Sequence, residues 1–105
     1  CAAASNVFVI FGDGDVVTPP VEEGALPGIV RDKLIGMPSQ FVVERPVSRD
    51  DILTGAVFLT NSLNGLREAI LRGGREWTSA SRKIFDDLAT DYESQKQKDR
   101  EAKII

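Results

Sequence analysis

Short apolar runs separated by turn residues dominate the first part of the chain. Residues 6–11 form an unbroken run of mostly β-branched and aromatic side chains, which predicts a strand buried on both faces. The Gly-Asp-Gly-Asp sequence at 12–15 predicts a turn, and residues 16–18 then form the second arm of a hairpin. Because proline has no backbone N–H to donate, the proline pair at 19–20 ends this pairing, and residues 21–27 are predicted to be a loop.

The spacing of apolar positions becomes helical after Gly28, where they recur three to four residues apart. Gly36 and Pro38 then limit this helix to little more than about two turns. The apolar segment that follows, residues 41–44, is a strand candidate. The first part of the chain is therefore predicted to run strand, strand, helix, strand.

A helix-capping signal opens the next part of the chain. Ser48 is followed three residues later by Asp51, which predicts an N-cap with an acidic variant of the capping box and a single short helical turn over 50–53. The hydrophobic run at 55–60 is the best strand candidate of this half, and residues 66–71 are predicted to form a further strand. The polar residues between these two segments, 61–65, are predicted to be a turn.

A final helix is predicted near the C-terminus, after three hydroxyl residues that can serve as N-caps, Thr78, Ser79 and Ser81. Ile84, Leu88 and Tyr92 are spaced four apart, so one stripe of this helix is apolar and is expected to pack on another element. Nearly every residue from 93 to 103 is charged or polar, which predicts a solvated or fraying helical tail.

The predicted order of elements indicates a mixed α/β (α+β) fold, with one layer of sheet against one layer of helix. At 105 residues the chain has the length of one small domain, so we predict a single domain over 1–105 whose polar tail occupies 93–105. The hydrophobic fraction of 42% and the charged fraction of 28% are typical of a globular core.

Charge and residue usage exclude several classes of function. The net charge of -3, without a cluster of Lys and Arg, argues against a nucleic-acid surface. The chain has no histidine, which removes the commonest general base and metal ligand, and no metal site is predicted. Cys1 is the one cysteine, so no intrachain disulfide can form, and a reducing compartment, the cytoplasm, is predicted. No apolar run approaches the ~20 residues that span a bilayer, so no membrane association is predicted.

Two stretches suggest an anion-binding corner. The segment 24–32 is a Gly- and Pro-marked turn that runs into a helical start, where free backbone N–H groups can hold an anion. The segment 57–65 is a hydrophobic run that ends in a polar turn with hydroxyl side chains. Turns of both kinds also occur for purely structural reasons, so each stretch alone is a weak signal.

Four motifs in order resemble the large domain of class IV aminotransferases, the pyridoxal-phosphate (PLP) enzymes that include branched-chain and D-amino-acid aminotransferases and aminodeoxychorismate lyase. They are ASNVFV at 4–9, VTPP at 17–20, GALPGIVR at 24–31 and VFLTNSL at 57–63. The resemblance covers about residues 1–70 and implies the C-terminal part of the D-amino-acid aminotransferase-like fold. The Thr-Asn-Ser-Leu turn is more similar to the lyase members than to the branched-chain aminotransferases.

The resemblance implies a PLP site with named residues. Ile29 and Val30 would donate backbone N–H groups to the cofactor phosphate, Asn61 and Ser62 would close its other side, and Leu26 would pack against the pyridine ring. It also implies a homodimer, a small amino-acid or amino-chorismate substrate, and an N-terminal portion of the same protein as a partner.

Two features depart from the family pattern. The Schiff-base lysine of the family lies upstream of the Ser5-Asn6 motif, so no catalytic residue is assigned within this chain. The glutamate that pairs with the pyridine nitrogen stands five residues before the motif's asparagine, and that position is Cys1 here. A thiol is a weak hydrogen-bond donor and would support the protonated ring poorly.

Three functional readings follow from these observations. The first is the C-terminal portion of a PLP-dependent aminotransferase or lyase that needs its N-terminal portion for activity. The second is a non-catalytic binding or assembly module that retains the fold. The third takes Cys1 as the lipid-modified first residue of a lipoprotein, although residues 5–6 lead into a core-like strand without a flexible linker.

Overall fold

The computed structural model describes residues 5–20, 29–37, 40–61, 65–69 and 76–102. Five strands and three helices are formed within these ranges: β1 (Asn6–Ile10), β2 (Val16–Thr18), α1 (Ile29–Ile35), β3 (Val42–Glu44), α2 (Arg49–Thr54), β4 (Ala56–Asn61), β5 (Gly65–Ala69) and α3 (Ser79–Ala102). The predicted mixed α/β class is confirmed. The loop predicted at 21–27 lies outside the described residues.

The strands form one mixed sheet in the order β3-β2-β1-β4-β5. β1 is antiparallel to β2 and to β4, and β4 is antiparallel to β5, so the predicted hairpin of β1 and β2 is confirmed. β2 and β3 instead run parallel, which requires a crossover connection between them. α1 lies in that connection and contacts β3 and β4.

One face of the sheet carries the main core. Its buried side chains come from the strands and from the apolar sides of α1 and α3, and include Phe8, Ile10, Val16, Phe58, Val30, Leu34, Leu88 and Tyr92. Leu88 is completely buried and Tyr92 is 6% exposed, so the predicted apolar stripe of the last helix is confirmed. On the opposite face Val9 and Val57 are buried near α2, which packs on β4.

Several element boundaries differ from the sequence-based prediction. Asn61 and Gly65 were predicted as turn residues, but they pair with each other as the end of β4 and the start of β5. Gly65 has φ 67, a backbone conformation that favours glycine. Gly55 was predicted to begin a strand, but its N–H donates to the Asp51 carbonyl at 3.0 Å and ends α2. Phe41 precedes β3 and is 80% exposed.

The predicted capping box of α2 is confirmed. The Ser48 hydroxyl accepts a hydrogen bond from the Asp51 N–H at 3.1 Å, and the Asp51 carboxylate accepts one from the Ser48 N–H at 2.9 Å. Arg45 Nη1 lies 3.1 Å from the same carboxylate. The hydrogen bond from the Ser48 backbone, followed by the arginine contact, lowers the pKa of Asp51 below its usual value.

This cap predicts an acid-sensitive contribution to stability. Because the pKa of Asp51 is lower in the folded state, its contribution is present above the pKa of an unfolded aspartate and is lost as the pH falls through the folded value. Asp51→Asn should therefore be less stable than wild type at neutral pH, and the difference should vanish in acid. Urea denaturation of both proteins at several pH values measures this difference in the free energy of unfolding. Asp50→Asn, on the exposed side of the same turn, is the control, and an equal pH-dependent loss there would contradict the assignment.

α3 begins at a second capping arrangement and continues through the polar tail. Thr78 Oγ1 accepts a hydrogen bond from the Ser81 N–H at 3.1 Å, and Ser81 Oγ accepts one from the Thr78 N–H at 2.9 Å. Of the three hydroxyl residues predicted as caps, Thr78 and Ser81 therefore make the capping contacts. The backbone stays helical to Ala102, while the side chains of 93–97 are exposed. Among the described residues, no helix combines the length and apolar character needed to cross a bilayer.

Candidate functional site

Four buried polar side chains gather at one end of the sheet. Because β1 is antiparallel to its neighbours, its first residue Asn6 lies beside Thr60, near the end of β4. Thr18 ends β2 at the same edge and donates its hydroxyl to the Val7 carbonyl at 2.8 Å. Arg31, from the first turn of α1, reaches the same edge. We call Asn6, Thr18, Arg31 and Thr60 the buried polar edge, since each is at most 7% exposed.

Arg31 connects three elements at this edge and is 3% exposed. Its Nη2 atom donates to the Pro19 carbonyl at 3.1 Å and lies 3.4 Å from the Glu44 carboxylate at the end of β3. Its Nη1 atom lies 3.9 Å from the carboxylate of Asp32. The Nε atom of Arg31 is buried without a hydrogen-bond partner among the described residues.

The side chain of Arg31 supplies a hydrogen bond just beyond the point where the backbone pairing of β2 with β3 ends. The Arg45 N–H donates to the Thr18 carbonyl at 3.0 Å, which is the contact just beyond the two strands. The next carbonyl along, that of Pro19, accepts from the Arg31 side chain instead of from a strand. α1 is therefore tied to the ends of both parallel strands.

Two of the predicted phosphate-binding residues, Ile29 and Val30, are the first two residues of α1. The first four N–H groups of a helix have no acceptor within the helix, so the N–H groups of both residues can donate to an acceptor outside it. The Val30 side chain is 2% exposed and packs in the core, so this residue offers its backbone rather than its side chain.

Asn61, predicted to bind the other side of the phosphate, is the last residue of β4. Its side-chain amide donates to Ser5 Oγ at 3.3 Å, which places it beside the start of β1 and next to the buried polar edge. The structure thus brings the described parts of both predicted stretches to one end of the sheet, with α1 packed against β4. Leu26, Ser62 and Cys1 lie outside the described residues.

The residues at this end fit a phosphate group in chemistry. A phosphate monoester needs hydrogen-bond donors, and this end offers the first backbone N–H groups of α1. The acidic side chains near the guanidinium, Asp32 and Glu44, are 74% and 43% exposed, and the single positive charge of Arg31 offsets part of their negative charge.

Sequence reasoning missed the role of Arg31 in this arrangement. In the pattern of apolar positions a charged residue in a short helix indicates a solvated side. The signal that could have found it is its place directly after the two predicted phosphate-binding residues, within the first turn. The contact with Glu44 could not be found, because it depends on the parallel pairing of β2 and β3.

One further hollow and the acidic side chains can be compared with this end of the sheet. A small hollow lined by Thr54, Glu76, Thr78 and Ser81, among others, lies at the opposite end of β1 and β4. Across the described ranges, no group of three or more acidic or cysteine side chains is arranged to hold a metal ion. The buried polar edge is therefore the candidate site.

Solved structures similar to this chain include aminotransferases and aminodeoxychorismate lyases. A protein from Legionella pneumophila described as a candidate 4-amino-4-deoxychorismate lyase is 33% identical, with a TM-score of 0.66 over 84% of this chain and 35% of its own. The branched-chain amino acid aminotransferase of Escherichia coli is 27% identical, with a TM-score of 0.62 over 77% and 30%. The 4-amino-4-deoxychorismate lyase of Pseudomonas aeruginosa is 26% identical, with a TM-score of 0.57 over 83% and 34%.

The chain spans about a third of the length of these structures. No curated protein sequence matches it at a significant level. The family model described as amino-transferase class IV matches residues 1–70, the same part of the chain that carries the four motifs. The fold, the motifs and this match together show that the chain belongs to the class IV aminotransferase family.

Proposed function

We propose that this chain forms part of the PLP phosphate site in a class IV aminotransferase or lyase, with an aminodeoxychorismate lyase-like activity favoured. The observation that carries the proposal is that the α1 start and the β4 end lie at the same end of the sheet, with α1 packed against β4. The lyase preference is supported by the Thr-Asn-Ser-Leu turn and by the 33% identity to the Legionella pneumophila protein.

In this proposal each residue of the chain has a binding role. Ile29 and Val30 donate their backbone N–H groups to the phosphate, while Asn61 and Ser62 close its other side. Leu26 packs on one face of the pyridine ring. When bound, PLP supplies an electron sink for the carbanion that forms on the substrate.

The remaining parts of the enzyme come from outside this chain. We propose that an N-terminal portion supplies the lysine that holds the cofactor covalently, and that the protein acts as a cytoplasmic homodimer on a small amino acid or an amino-chorismate. Cys1 stands where the family has the glutamate that pairs with the ring nitrogen, and its thiol is a weaker partner for that atom.

A proline substitution tests the phosphate contact by removing one backbone N–H. Proline is tolerated at the first position of a helix, so Ile29→Pro should keep α1 while deleting a proposed phosphate donor. We expect the Kd of the full-length protein for PLP to rise about tenfold, as for the loss of one hydrogen bond to a charged group. Equilibrium dialysis and the visible absorbance of the bound cofactor measure this.

Arg49→Pro is the matched control, because Arg49 is the first residue of α2 and lies outside the candidate site. It should leave the Kd for PLP unchanged. If Ile29→Pro binds PLP as tightly as wild type, the proposed phosphate contact is wrong. A full-length wild-type protein that never binds PLP would favour the non-catalytic assembly module. Conversion of 4-amino-4-deoxychorismate, compared with transamination of branched-chain amino acids, then separates lyase from aminotransferase.

A further inference from the structure

The burial of Arg31 is energetically unusual for a charged side chain on a short surface helix. Arginine is rarely buried completely unless it is paired, because removing the charge from water is costly. Here its nearest carboxylates lie at 3.4 and 3.9 Å, on side chains that are themselves 43% and 74% exposed, and its Nε has no described partner. A buried ion pair often contributes no more to stability than apolar side chains of similar size would.

The position of Arg31 explains what the buried cation can do. α1 has seven residues, and its core contacts come from Val30, Leu34 and Ile35. Apolar packing is not directional, so these contacts specify the rotation of a short helix less sharply than a directional polar contact does. The planar guanidinium instead makes directional contacts with the Pro19 carbonyl and with Glu44.

We propose that Arg31 is a positioning residue that fixes the first turn of α1 against the ends of β2 and β3. It thereby sets the direction of the Ile29 and Val30 N–H groups toward the cofactor phosphate, so the inference rests on the proposed function. Arg31 acts on the phosphate through the backbone, and we expect the contacts made by the ring of the cofactor to depend on it much less.

Comparing PLP with pyridoxal, which lacks the phosphate, tests this role in the full-length protein. We expect Arg31→Met and Arg31→Lys to raise the Kd for PLP about tenfold while the Kd for pyridoxal changes less than about twofold. Lysine keeps the charge but presents no planar fork to the Pro19 carbonyl and Glu44 together. Without any ligand, amide hydrogen exchange of α1 should be faster in both variants than in wild type.

Arg45→Met is the matched control. Arg45 directly follows β3, as Pro19 follows β2, but its side chain is 44% exposed and pairs with Asp51 instead of with α1. It should change neither Kd nor the exchange of α1. If Arg31→Met does not fold, Arg31→Lys decides in the same way.

Two results would overturn the inference: an equal loss of affinity for PLP and pyridoxal, or wild-type PLP affinity in a folded Arg31 variant. Failure of the proposed function looks different, because wild-type protein would then bind neither compound.

Discussion

Phe58→Ala is expected to lower the free energy of unfolding by about 3–5 kcal/mol, the usual cost of emptying a buried aromatic site. Phe58 is completely buried on β4. Its ring stacks on Phe8 with centroids 5.0 Å apart and meets the edge of Phe85 at 5.3 Å. The substitution therefore removes contacts that join β1, β4 and α3, and urea denaturation of the full-length protein followed by circular dichroism measures the loss.

Phe41→Ala is the control for this substitution, because it removes the same atoms from a side chain that is 80% exposed. It should change the free energy of unfolding by less than about 0.5 kcal/mol, as most exposed substitutions do. Equal effects of the two substitutions would show that the core is not organised around Phe58.

Gly55→Ala is expected to destabilise the protein by about 1–3 kcal/mol, the range for overpacking a buried site. A Cβ atom at Gly55 would overlap Cγ1 of Val9 and would lie 3.1 Å from the Ile10 carbonyl and 3.3 Å from that of Asp51. Val9 is completely buried and has a short branched side chain, so it cannot move aside. The backbone joining α2 to β4 would have to shift instead.

Gly12→Ala provides the matched comparison, because no atom lies within 4 Å of a Cβ built at Gly12. This variant should be as stable as wild type or slightly more stable, since alanine reduces the freedom of the unfolded chain. Thermal unfolding of both variants measures the difference. Stability of Gly55→Ala equal to that of Gly12→Ala would contradict the close approach of α2 to β1.

Local sequence signals predicted the elements whose causes are local. The capping box of Ser48 and Asp51 depends on residues three apart, so its prediction needs no long-range contact. The stripe of Leu88 and Tyr92 follows from helical periodicity in the same way. Asn61 was placed wrongly in a turn because a polar residue can end a strand as readily as begin a turn, and only its pairing partner decides.

The candidate site was predicted in part. The motifs indicated the family and placed the phosphate contacts at a helix start and at the end of a hydrophobic run. The described residues Ile29 and Val30 lie at the start of α1, and Asn61 lies at the end of β4. Their role in binding phosphate stays a prediction until the Ile29→Pro experiment is done. Leu26 and Ser62 lie outside the described residues, so their predicted roles rest on the resemblance alone.

By itself, the sequence determined the mixed α/β class, the family and the helix caps, because periodicity, turn chemistry and ordered motifs act over short distances along the chain. The tertiary structure decided the parallel pairing of β2 with β3 and the burial of Arg31 between their ends. The physical reason is that burial of a charge depends on which strands meet, and the distance along the chain from Arg31 to Glu44 carries no sign of that contact. Arg31, a charged residue of a kind usually found at the surface, is thus buried at the ends of β2 and β3.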